Sequence, residues 1–201
     1  GKIIGSVSVV HDVTESRQIK DKINYQNIIL CAINQVYEDA MRCETLGDLV
    51  RACLDIAAAI TDSNCGFIGE VDKDGLFHEI AFIHPGRDRC ETAELREGSG
   101  QKSACEILDK CGRVVQEGRI ILTANNSSHP EGTGRPSANQ CLREFLGVPL
   151  VHNGRTVGII CLGNREGGYR WEDQKVMEAL APTILECIMR KRAEEALRKS
   201  E

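Results

Sequence analysis

Apolar and small residues at Ile19, Ile23, Leu30, Ile33, Tyr37 and Ala40 advance in alternating steps of four and three, with polar Gln26 as the one interruption. That spacing keeps a seam on one side of a helix and predicts a helix from Ser16 to Met41. The seam is buried either against the same helix of a second chain, with Gln26 setting the register, or against the domain that follows. Thr45 then reads as the cap of a second helix whose inner face carries Leu46, Leu49, Val50, Cys53, Leu54, Ile56, Ala57 and Ile60, ending near residues 61–64. Two β-rich runs follow, Cys65 to Val71 and Leu76 to His84, joined by Asp72-Lys73-Asp74-Gly75, a turn with glycine where φ is positive. Helical spacing returns from Ser103 to Glu117 and stops at Gly118; Arg119 to Ala124 is a short strand, and residues 125–139 form a long polar loop. Phe145 to Val151 and Thr156 to Asn164 form a hairpin around the turn His152-Asn153-Gly154-Arg155. Trp171-Glu172-Asp173 opens a last helix through Met177, Leu180, Ile184 and Ile188. The order of elements is that of an α+β domain, an antiparallel sheet covered by helices.

The two ends read differently from this middle. Gly1 to Glu15 alternates like a final strand and stops at an Asp12-x-Thr14 turn; with no partner strand beside it, the rest of its sheet is expected upstream. Arg190 to Glu201 is a charged helical run without a stop signal, and the helix is expected to continue.

Composition narrows the function. The 201 residues allow one domain, and a formal net charge of −5 provides no basic field for nucleic acid. No apolar run is long enough to span a membrane and no signal-peptide core opens the sequence, so a cytoplasmic location without membrane contact by this stretch is expected. The ten cysteines stand singly, with neither Cys-x-x-Cys pairs nor zinc-finger spacing, which argues against a zinc site or a secreted disulfide framework. Cys31, Cys53, Cys65, Cys161 and Cys187 fall among apolar neighbours and read as small core residues, whereas Cys90, Cys105, Cys111 and Cys141 stay open as redox candidates. A phosphate-binding loop, a Gly-x-Ser-x-Gly elbow and a His-Glu-x-x-His pair are all missing, and Gly98-Ser99-Gly100 alone makes no nucleotide site. Catalysis by this stretch is not expected.

The run Phe145-Leu146-Gly147-Val148-Pro149-Leu150, then Asn153-Gly154, Val157 to Asn164 and Trp171-Glu172-Asp173, resembles the C-terminal half of GAF domains. The resemblance covers residues 44–190. Residues 1–15 resemble the end of a PAS domain, residues 16–43 a connecting signalling helix, and residues 191–201 the start of an outgoing helical connector. Together they imply a sensory module of a two-component sensor histidine kinase, a transferase, with adjacent PAS and kinase domains and a homodimer formed through terminal helices at Ile19, Ile23, Leu30, Ile33 and Tyr37. The resemblance further implies a GAF-like antiparallel sheet of about six strands and a cavity for a small ligand such as a cyclic nucleotide, haem, a bilin or a metabolite. The positions expected to line that cavity are His129, His84, Phe67, Cys105, Leu108, Thr123 and Phe145.

Three special cases follow from the same resemblance. Haem is an open cofactor, since His129 or His84 can offer an axial imidazole and the alternative function is a haem-linked redox or gas sensor. A relative that reduces free methionine sulfoxide uses cavity cysteines, a role open to Cys90, Cys105 and Cys141. The cyclic-nucleotide motif Asn-Lys-x-x-x-Phe-x-x-x-Asp-Glu is matched by Asn164 but has Arg165 in place of its Lys, and bilin attachment lacks an adjacent Cys-His pair.

Overall fold

The computed structural model describes residues 14–71, 77–83, 110–124 and 144–200. Helix α1 spans Thr14–Arg42 and α2 spans Leu46–Ile60. The Asp48 amide donates to Thr45 Oγ1 at 3.1 Å and the Thr45 hydroxyl donates to Asp48 Oδ2 at 2.6 Å, so the expected cap holds the start of α2. Strands β1 (Cys65–Val71) and β2 (Phe77–Ile83), a helical segment α3 (110–117), strands β3 (Ile121–Ala124), β4 (Glu144–His152) and β5 (Arg155–Gly163), and helix α4 (Trp171–Ser200) follow. The predicted turn at 72–75, loop at 125–139 and opening strand lie outside the described residues.

The described strands form one sheet in the order β2-β1-β5-β4-β3, every neighbouring pair antiparallel. Among the described residues there are five strands, which form the expected antiparallel sheet. Asn153 and Gly154 take φ of 50° and 76°, the pair of positive angles that a two-residue hairpin turn needs to match strand twist. Pro149 sits inside β4 without breaking the sheet because β3 pairs only with residues 144–147, and no described strand lies beside the next stretch of β4 on that side.

Strand alternation divides the core in two. Ile68, Leu146, Val148, Leu150, Ile160 and Leu162 point to one face and are covered by α2 and α4, on which α1 packs in turn. Cys65, Phe67, Phe145, Ile159 and Cys161 point to the other, where Cys111 and Val114 of α3 and Ile121 of β3 pack on them. In α4, Met177, Leu180, Ile184 and Ile188 are buried as their spacing predicts.

Helix α1 departs from its predicted seam. Ala32, Val36 and Ala40 form its buried stripe, with Ile33 and Tyr37 packed at the flank. Ile19, Ile23 and Leu30 remain more than half exposed, at 53%, 51% and 57%. The seam therefore splits: its second half belongs to this domain's own core and its first half is an open row. The reason is volume, since alanines let α1 approach the domain closely while a row of isoleucine and leucine there would hold it off. Tyr25 donates to the Glu172 carbonyl at 3.3 Å and Tyr37 to Glu186 Oε2 at 3.2 Å, so α1 and α4 lie side by side and run parallel.

Of the cysteines read as core residues, Cys53, Cys65, Cys161 and Cys187 are buried, but Cys31 is exposed on the outer side of α1. Burial pushes the Cys53 thiol up to about 12 and raises the Tyr169 phenol as well. An acid whose folded pKa is raised favours the native state only while it stays protonated. Above the ordinary thiol range the unfolded chain binds fewer protons than the folded one, so stability falls as pH rises. We expect melting temperatures that decline from about pH 9 toward 12, as the Cys53 thiol lowers stability by up to about 1.4 kcal/mol per pH unit. A Cys53→Ala variant should show a shallower decline in a pH series of thermal melts; an unchanged slope would exclude Cys53 as a source.

Candidate functional site

The sheet face turned away from α1, α2 and α4 carries the candidate site. Registers Phe67 with Cys161, Phe145 with Gly163, and Thr123 with Phe145 place Phe67, Thr123 and Phe145 on this one face, each from a different strand. These are three of the sequence-chosen positions; His84, Cys105, Leu108 and His129 lie outside the described residues, as do Cys90 and Cys141.

Beside them opens a hollow of about 300 Å³ lined by Leu122, Thr123, Glu144, Phe145, Gly167, Gly168 and Tyr169. The Thr123 Oγ1 is buried there without a hydrogen-bond partner among the described residues, a costly state for a hydroxyl that a ligand donor or acceptor would relieve. Lys110 Nζ stands 5.7 Å from the centre of the Phe145 ring, bringing a cation to the same aromatic surface. Gly167 and Gly168 take φ of 78° and 76°, a path barred to most side chains, and a Cβ on Gly168 would approach Glu144 Oε2 to 3.3 Å.

The wall beyond the hollow is held by two small networks. Arg165 donates from Nη1 to the Gly168 carbonyl at 2.7 Å and lies 3.4 Å from Asp173 Oδ2, while Asp173 accepts the Arg170 amide at 2.7 Å. Asp173 thereby serves as the acidic half of a capping box for α4, and Arg165 clasps the loop to that cap. In the second, the hydroxyls of Thr61, Ser63 and Tyr169 are linked in series at 2.7 Å each, with Thr61 donating to the Ala57 carbonyl.

Sequence reasoning missed Lys110, Glu144 and Tyr169, and it separated Cys111 from Cys161, whose sulfurs lie 3.6 Å apart. The residues 159–162 are Ile-Ile-Cys-Leu, apolar without alternation, so nothing in the chain alone says which of them faces which side. Burial first, then contact with Cys111, raises the Cys161 thiol well above the ordinary range. Among the described residues no group of three or more His, Cys, Asp or Glu could hold a metal ion, and no helix is long and apolar enough to cross a membrane.

On the opposite face a cavity of about 310 Å³ separates the sheet from the second half of α4, with Ile80, Leu185, Ile188 and His152 in its wall. The Arg192 guanidinium pairs there with the Glu70 carboxylate of β1. One turn on, Glu195 Oε1 accepts the Leu46 amide at 2.7 Å. These two contacts tie α4 to β1 and to the start of α2 beyond its last buried residue, Ile188.

The family model described as GAF domain matches residues 43–188. The chain belongs to the GAF domain family. The fold of this GAF domain is similar to that of the GAF domain from a phosphoenolpyruvate-protein phosphotransferase of Coxiella burnetii, at 18% identity and a TM-score of 0.61 over 86% of this chain and 99% of that one. It is also similar to the GAF domain of a putative sensor histidine kinase from Pseudomonas syringae pv. tomato, at 14% identity and a TM-score of 0.57 over 94% of this chain and 100% of that one. In sequence the GAF domain is 23% identical over 192 residues to the methyl sulfide methyltransferase-associated sensor of Methanosarcina acetivorans, a match covering 95% of this chain and 19% of that relative. The chain thus spans about a fifth of the length of that relative.

Proposed function

We propose that this GAF domain is the sensory and regulatory module of a cytoplasmic sensor histidine kinase. In this reading residues 1–15 close a preceding PAS domain, residues 16–43 form the incoming signalling helix, and residues 191–201 begin the connector to the kinase. The observation that carries the proposal is the parallel packing of α1 on α4, with Ile19, Ile23 and Leu30 left as an open row beside it. Such a row suits a second copy of α1, which would bury it and form a homodimer. Two of the similar proteins, a sensor and a putative sensor histidine kinase, support the same assignment.

The hollow beside Thr123 and Phe145 is the proposed ligand site. It suits a small molecule with an apolar body over Phe145 and a polar atom within reach of Thr123 Oγ1. Occupancy alters output only through unequal affinity for two arrangements of α1 and α4. β1 is the physical link, since it bears Phe67 on the ligand face and, on the other, Glu70 paired to Arg192 of α4.

The test is a thermal-shift panel of cyclic nucleotides, haemin, bilins, methionine sulfoxide and small metabolites on the purified domain. A ligand at 100 times its Kd stabilises by about 2.7 kcal/mol, a readily measured rise, and Thr123→Val should reduce it. With haemin the readout also includes a Soret band. If no compound shifts the melt, ligand sensing is excluded for that panel and a purely mechanical role for the domain gains ground.

A further inference from the structure

We propose that Cys111 and Cys161 form a redox-modification site, a buried dithiol that a hydroperoxide converts to an intramolecular disulfide stapling α3 to the centre of the sheet. Their sulfurs are 3.6 Å apart, and the residues are 3% and 0% exposed. A disulfide needs about 2.05 Å, so the remaining closure is about 1.5 Å, within reach of side-chain rotation.

The two sides of the pair are mechanically unequal. Cys161 is paired on one edge with Phe67 of β1 and on the other with Gly147 of β4, so it is a fixed anchor. Cys111 rides on α3, the element resting on that face. The contact depends on Gly147, because a Cβ at that position would lie 2.5 Å from Val114 Cγ2 and push α3 outward. A missing side chain directly beside Cys161 is what lets the helix settle low enough for sulfur to touch sulfur.

One thiolate attacks a peroxide oxygen, the O–O bond breaks, and the departing alkoxide takes a proton to leave as alcohol, or as water from hydrogen peroxide. The resulting sulfenic acid is attacked at sulfur by the second thiol, whose proton leaves with the expelled hydroxide as water. Two electrons pass from the sulfurs to the peroxide. Burial keeps Cys161 protonated at neutral pH, so this oxidation is slower than that of exposed Cys31. The site stands independently of any ligand assigned to the domain.

The experiment is a time course of hydrogen peroxide on the folded chain, followed by non-reducing peptide mapping. The expected result is a crosslinked peptide joining Cys111 to Cys161, loss of two of the ten thiols through that bond, reversal by dithiothreitol, and a higher Tm for the oxidised form. Cys111→Ala and Cys161→Ala should each abolish the crosslink; should either variant fail to fold, the wild-type map alone decides. Recovery of both peptides as free thiols after the other cysteines have reacted, or of Cys111 as sulfinic acid with no crosslink, would overturn the proposal.

Discussion

Replacing Gly147 with leucine is expected to cost the domain at least about 3 kcal/mol, at or above the upper end of ordinary overpacking. A Cβ alone would meet Val114 Cγ2 at 2.5 Å and the Phe145 ring at 2.7 Å, both fully buried. Neither can retreat: Val114 faces the sheet from α3, and the Phe145 ring packs in the same cluster as Cys65, Phe67 and Cys161. The strain should detach α3 from the sheet and leave the helix-covered face intact. Urea midpoints measure the loss, and peroxide mapping gives a second reading because the Cys111–Cys161 crosslink should vanish. Gly112→Ala is the internal control. No described residue lies within 4 Å of a Cβ there, so it should stabilise α3 by about 0.5–1 kcal/mol. If Gly147→Leu folds with wild-type stability, the close approach of α3 to β4 is wrong.

A single residue inserted after Lys22 is expected to disrupt regulation in the intact protein while leaving the isolated domain folded. The insertion turns everything upstream by about 100° relative to the rest of the helix. Ile19 then leaves the line of Ile23 and Leu30, whereas Ala32, Val36 and Ala40 keep their places in the core. Melting temperature should therefore stay within error. Self-association of the proposed dimer, measured by sedimentation, should weaken by about tenfold or more, and the output of the proposed kinase should lose its dependence on the input signal. Wild-type association and unchanged output would count against signalling through α1.

Much of the fold was legible because local signals agreed. The Thr45 cap, the Asn153-Gly154 turn and the steps of three and four in α4 each name one structure and no other. The split of α1 was not legible. A row of large apolar residues looks like a better core seam than one built on Ala32, Val36 and Ala40, and close packing on α2 and α4 of the same domain reverses that preference. The candidate site was legible only in part. Phe67, Thr123 and Phe145 could be named from family resemblance, but the Cys111–Cys161 contact joins residues 50 apart in sequence and depends on which side of β5 faces α3. A strand buried on both sides carries no mark of that choice.

The common direction of α1 and α4 sets how the parts of a longer protein would be strung together. Tyr25 lies level with Glu172, so the axis from Thr14 to Ser200 is roughly 60 Å at about 1.5 Å per residue. Its two termini emerge at opposite poles. Units joined in series by such helices stack along a common axis, and a twist applied at one pole passes to the other where α1 and α4 overlap.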